Sequence, residues 1–247
     1  PADLRAPDKN IRLMETRLLI NTPEGWIGYP YVWNKAQTEA FLEIAGERLE
    51  VSFINSQGNH ENFNYSVPNF NQCKGCHVNQ NQMKPIGTKA RLLNHEYDYA
   101  EGSMNQLRKW SMLDMINNLP EISSISHTPN YNNPNDGSLD ERARAWIDIN
   151  CAHCHRLGAP GETSGLFLNI EENNKTRLGV FKPPVAAGRA TGNLKYTISP
   201  GKPEESIMVH RMLSKDPGIM MPELGRKLVH KEGVELVSEW IKKMKED

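Results

Sequence analysis

A run of 18 apolar residues, the least that would let a helix cross a bilayer, occurs nowhere in this 247-residue chain, so a soluble protein is expected. Neither sign of charge dominates: 29 Lys and Arg stand against 30 Asp and Glu, for a formal net charge of -1. That balance excludes the basic footprint of a nucleic-acid-binding surface. The opening segment PADLRAPDKN is polar and contains proline, so it lacks the apolar core of a secretory signal peptide. No Ser/His/Asp set or carboxylate pair stands out, and the glycines around 158–165 match no phosphate-cradling pattern. Cysteine is scarce, with four residues in all.

All four cysteines fall in two short stretches, NQCKGCHVN (71–79) and NCAHCHRLG (150–158). Each is a Cys-x-x-Cys-His, and no thiol is left over. Three chemistries use paired thiols at this spacing. A structural zinc site takes two pairs about 12 to 20 residues apart; here 74 residues separate Cys76 from Cys151, so one shared site needs long-range closure. A thioredoxin-type dithiol needs no adjoining histidine. Covalent haem attachment needs all three side chains: two thiols form thioethers with the vinyl groups, and the histidine ligates iron. The sequence therefore predicts two c-type haems, held by Cys73, Cys76 and His77 and by Cys151, Cys154 and His155, with zinc as the alternative. Such attachment takes place outside the cytoplasm, so a periplasmic or extracellular chain is expected, with its export signal, and any lipid anchor, lost with a missing N-terminus.

Three segments follow from the patterning. Residues 1–68 carry RLMETRLLI, WIGYPYVWN, RLEVSFINS and NFNYSVP, short stretches rich in aromatic and β-branched residues between turn-prone NTPEG and NSQGNHEN. They predict a small antiparallel β-module, with AQTEAFLEIAG as a short helix or turn. Trp26, Tyr29, Tyr31 and Trp33 alternate imperfectly and are expected to pack a core or sheet face. Residues 69–125 hold the first motif; a helix is expected over 103–119, with Met104, Leu107, Trp110, Met112 or Leu113, and Met115 closing one side of a haem pocket. After an Asn/Pro/Gly-rich linker, residues 126–247 begin with a helix that has Ser138 and Glu141 as a capping box and Ala143, Trp146 and Ile149 on one face. SPGKPEESIMVHRM reads as a turn feeding a helix. KEGVELVSEWIKKM is an amphipathic helix with Val234, Val237, Trp240, Ile241 and Met244 aligned.

What fills the other face of each iron decides its chemistry: methionine raises the potential, a second histidine lowers it, and a vacancy permits ligand chemistry. PGIMMPELG (217–225) offers Met220 and Met221, 65 and 66 residues after His155, in a loop bounded by glycine and proline. Met212 lies at helical spacing from Met208 and reads as core. For the first haem, His60, His127, Met83 and His95 are within sequence reach, with His60 and His127 the weak candidates. Met83 is only six residues from His77. His153 belongs to the two-residue spacer and is expected to be exposed. Arg189, Arg211 and Arg226 could pair with haem propionates.

The second half resembles a class I cytochrome c domain in NCAHCH, GAPGETSGLFL, SPGKPEES and MMPELG ahead of the final helix. In that family the methionine of a Met-Pro pair completes the iron, which implies Met221 here. QCKGCH with PIGTKARLLN is similar to the segment that supports the proximal histidine in such domains, but its order is Pro85-Ile-Gly and no Met-Pro follows before 126. Over most of its length, including ETRLLI, YVWNKAQTEA and RARAWIDINCAHCH, the chain also resembles exported bacterial dihaem cytochromes, relatives of which occur beside or fused to periplasmic dehydrogenases. The expectation is thus an α+β chain: a small antiparallel β-module followed by two mainly α-helical cytochrome c-like haem domains. It would carry electrons one at a time between exported redox partners, a periplasmic dehydrogenase or another multihaem cytochrome among them. The alternative is a peroxidase-like dihaem enzyme with an open first iron.

Overall fold

The computed structural model describes residues 2–6 and 11–245; the other positions, part of the polar opening segment among them, lie outside that description. Strands β2 (Glu15–Thr22) and β3 (Gly25–Trp33) pair antiparallel with Leu18 opposite Tyr29, and β4 (Ala40–Leu42) adds to β3. A second hairpin, β5 (Glu47–Ile54) with β6 (His60–Val67), gains the short parallel strand β1 (Ala2–Asp3). The AQTEAFLEIAG stretch is a turn and strand β4, where a short helix or turn was expected. Pairing with Tyr31–Trp33 supplies backbone partners that a short isolated helix lacks.

Along β3 the period of two buries Gly28, Pro30 and Val32 and turns Tyr29, Tyr31 and Trp33 to the other, half-exposed face. Trp26 shares the parity of Gly28, which is why the aromatic pattern alternates imperfectly in the sequence.

The segment after the first motif is built of short pieces: α1 (Lys74–His77), β7 (Val78–Asn79), β8 (Gln82–Met83), α2 (Ala90–Leu93), β9 (Glu96–Tyr99), β10 (Gly102–Asn105) and α3 (Gln106–Met112). The single helix expected within 103–119 is thus shorter. Residues 102–105 pair with β9, and the Asn105 side chain then caps α3 by accepting from the Leu107 and Arg108 amides. Leu107 is buried, but Met112, Leu113 and Met115 are 57–69% exposed, so this helix closes no pocket with them. This segment is not mainly helical.

The C-terminal part packs α4 (Leu139–Cys151), α5 (Ile207–Leu213) and α6 (Lys231–Lys242) around one core. The Ser138–Glu141 capping box is present and starts α4. Ala143 and Trp146 face the core as expected, whereas Ile149 is exposed and Ile147 takes the inward place. Val234, Val237, Trp240 and Ile241 of α6 are all buried, and Met244, past the helix end, packs against the core edge. Each of the fully buried Ile147, Val237 and Ile241 contributes roughly 1.5–3 kcal/mol. Between α4 and α5 the chain is largely irregular, with 3-10 turns at Glu162–Ser164, Gly188–Thr191 and Pro203–Glu205; the last feeds α5.

One buried carboxylate joins the first-motif segment to this core. Asp148 of α4 accepts from Arg91 of α2 at 2.6 Å and from the Ile170 amide at 3.0 Å. The whole is a mixed α and β chain with small, mainly antiparallel sheets and short helices, six among the described residues. None of these helices is long and apolar enough to cross a membrane.

Candidate functional site

Both motifs fold as the same turn of helix. In the first, the Cys76 and His77 amides donate to the Cys73 carbonyl at 3.2 and 3.0 Å; in the second, Cys154 and His155 donate to Cys151 at 3.1 and 2.9 Å. Positions i, i+3 and i+4 of a helical turn share a face. Each motif therefore presents two sulfurs and one imidazole on a common side.

The two motifs are reached differently. Cys151 is the last residue of α4, so the capping box and core of that helix aim the second motif. The first follows strand β6 and leans on the β-module. A Cβ at Gly28 would lie 3.3 Å from the Cys73 sulfur and 3.1 Å from the Met83 methyl, so the missing side chain at 28 makes room for both.

Ring orientation is set in each case through Nδ1. His77 Nδ1 lies 3.1 Å from the Lys84 carbonyl, which can only accept, so the proton sits on Nδ1 and the Nε2 lone pair is free. His155 Nδ1 lies 3.1 Å from Ser164 Oγ, whose own proton goes to the Gly161 carbonyl at 2.6 Å. Ser164 must accept from His155, which again frees Nε2. Burial holds His155 neutral, with its pKa down to about 4, and the nearby Arg211 charge acts in the same direction. A neutral imidazole oriented through Nδ1 is the form that ligates metal.

The motifs also meet. The Cys154 sulfur approaches the Gly75 carbonyl at 3.8 Å, and the Gln80 amide donates to the Gly158 carbonyl at 2.7 Å. Cys76, His153 and Cys154 each bring one ligand atom within 4.8 Å of the others. The long-range closure that a shared metal site would need is thus present in the fold. Hydrogen bonds from Cys154 and then His153 pull the Cys76 thiol down to about 4, while the bond to Cys76 and burial push Cys154 up. Burial raises Cys73 and takes Cys151 up to about 12.

The loop carrying Met221 runs beside both motifs. Met220 is buried in the core and Met221 half-buried, its amide donating to the Arg211 carbonyl at 3.1 Å. The charges of Arg211 and Glu223 both act on His155. A Cβ at Gly75 would meet the Leu224 methyl at 3.2 Å. Met212 is buried on α5, as its spacing predicts.

Other candidates stand elsewhere. His60 begins β6, so the full strand, about 23 Å at the usual rise, lies between it and the approach to Cys73. His127 has both ring nitrogens engaged, Nδ1 with the Asn94 carbonyl at 2.9 Å and Nε2 with Asp136 at 3.1 Å. Exposed His95 is bonded to the Glu96 carbonyl. Met83 packs beside Cys73 over Gly28. Arg189 is paired with Asp216, Arg211 with Glu223 and the Ile219 carbonyl, and Arg226 with the Met212 and Ser214 carbonyls.

Sequence reasoning missed His153. It is half-buried, with its Nδ1 out of solvent and without a hydrogen-bond partner, and it faces Cys76 where an exposed spacer was expected. A third potential ligand inside Cys-Ala-His-Cys-His was the available signal. No family model matches the chain, and neither a curated protein nor a solved structure does.

Proposed function

We propose that the chain is an exported dihaem c-type cytochrome that passes single electrons between redox partners in the periplasm or outside the cell. The observation that carries this reading is the repeated geometry: in both motifs two thiols and a histidine share one helical face, and in both the histidine offers Nε2. That donor set fits a covalently attached haem at each motif. Bound haem supplies a one-electron iron couple whose potential depends on its axial ligands and surroundings.

The chain's own residues then have distinct work. Cys73, Cys76, Cys151 and Cys154 would tether the two haems; His77 and His155, oriented by Lys84 and Ser164, would ligate iron, and Met221 would supply a further ligand to the second. Segment 126–247, with its capped first helix, motif, irregular loop and terminal helix, would be a class I cytochrome c-like domain, and the β-module supports Cys73. Redox proteins of the same compartment, a periplasmic dehydrogenase or another multihaem cytochrome, are the partners this reading implies.

The test is an absorption spectrum of the exported chain, oxidised and reduced, with haem quantified per chain. Two low-spin haems, and a weak far-red sulfur-to-iron band lost in Met221→Ala, are expected. One high-spin haem that binds carbon monoxide on reduction would instead make the first site a peroxidase-like centre. A colourless chain would overturn the reading.

A further inference from the structure

The cluster at the junction of the motifs contains one residue that haem attachment does not use. His153 stands in the spacer of the second motif, yet its ring is turned toward Cys76 of the first, and its Nδ1 is shut away from water without a partner. The Cys76 and Cys154 sulfurs lie within 4.8 Å of each other from positions 78 apart in the chain (154 minus 76). Two sulfurs and an imidazole nitrogen within 4.8 Å form the donor set of a thiophilic d10 cation.

We infer that, before haem is attached, Cys76, His153 and Cys154 bind one zinc-class cation that clamps the first motif to the second. Zinc–sulfur bonds of about 2.3 Å and zinc–nitrogen bonds of about 2.0 Å put tetrahedral ligands roughly 3.5–3.8 Å apart, so closing the cluster takes movements of about 1 Å. Each side chain projects from a short turn of backbone, which accommodates that shift. Three protein ligands leave the fourth position to water. On binding, any proton held by the Cys76 and Cys154 sulfurs is released, water leaves the hydrated cation, and two thiolate–metal bonds and one imidazole–metal bond form; no electrons move.

The site and covalent haem exclude each other, because thioether formation consumes both thiolates. Zinc therefore has to leave before Cys76 and Cys154 react, and excess zinc slows attachment at both motifs. This last consequence rests on the dihaem reading; cation binding itself does not.

The experiment titrates the full chain, produced without haem attachment and kept reduced, with cobalt(II) and then zinc(II). Expected are one cobalt per chain, thiolate-to-cobalt charge-transfer absorption, the intense visible bands of tetrahedral cobalt, and displacement by zinc. His153→Ala should weaken binding by at least the roughly 10–100-fold that losing a supporting contact costs. Cys76→Ala and Cys154→Ala should abolish it, and Cys73→Ala and His77→Ala should leave it stoichiometric. X-ray absorption on the zinc-loaded wild-type chain should count two sulfurs, independently of how any variant folds. Weak octahedral cobalt spectra, wild-type affinity in His153→Ala, or four sulfurs around zinc would each overturn the inference. Haem stoichiometry in exported His153→Ala separates the two readings: two haems are expected, because His153 has no part in attachment. An exported wild-type chain that carries zinc and no haem would end the dihaem reading and leave the cation site standing.

Discussion

Replacing Gly233 with alanine sets two effects of opposite sign against each other. Gly233 lies inside α6, where propensity alone predicts that Gly233→Ala stabilises by about 0.8–1.0 kcal/mol. The structure predicts the reverse. A Cβ at 233 would sit well inside van der Waals contact with the Cε2 and Cζ2 atoms of Trp146 and close to the His230 ring. The indole cannot yield cheaply. It is 6% exposed, stacks on His230 at a centroid distance of 5.8 Å, and its Nε1 donates to His230 Nδ1 at 3.1 Å. Forcing it aside costs about 1–3 kcal/mol of overpacking, and about 1 kcal/mol more if the hydrogen bond breaks. Against the propensity gain, the net is a loss of about 1–3 kcal/mol with the hydrogen bond broken, and in a chain of this size each kcal/mol lowers Tm by about 2–4 °C. Thermal melts followed by far-UV circular dichroism, with denaturant midpoints as a second measure, decide the sign. A Tm equal to or above the parent's would refute the close-packing argument and with it the account of how α4 and α6 cross.

Two further outcomes follow from the same structure. Asp148→Ala leaves the Arg91 guanidinium, 12% exposed, with only the exposed Glu171 carboxylate at 3.9 Å, and should cost about 3 kcal/mol, the low end for a broken buried pair; limited proteolysis should then cut more readily between residues 84 and 125, and unchanged cleavage would mean that the pair does not hold that segment. In the haem-free chain, His155 is neutral down to about pH 4 when folded but protonates near 6.5 when unfolded. Between those values the unfolded state binds the extra proton, so stability falls by up to about 3 kcal/mol as pH drops from 6.5 to 4 and is unaffected by this group above 6.5. That slope, read from denaturant midpoints, should vanish in His155→Gln; a slope that persists assigns the effect to another group.

Local pattern was enough for several elements because their determinants sit within a few residues of each other. Ser138 and Glu141 start α4, period-3.6 spacing marks Val234, Val237, Trp240 and Ile241, and turn residues bound the β-module strands. The expected helix within 103–119 came out shorter because Gly102–Asn105 finds a strand partner in β9, a competition that apolar spacing does not register. Ile147 displaced Ile149 for a related reason: the inward side of α4 is set by where α6 lies against it.

The two Cys-x-x-Cys-His turns, the chemistry of their side chains and the spacing that puts sulfur, sulfur and imidazole on one face belong to the sequence alone, since a helical turn is local. The meeting of Cys76 with Cys154 and His153, the space that Gly28 leaves for Cys73, and the pairing that occupies both nitrogens of His127 were decided only in the tertiary structure. These contacts join residues 9 to 78 positions apart. Their geometry depends on how the sheets, the α2–α4 ion pair and the α4–α6 crossing dock together, and no short-range pattern encodes that docking.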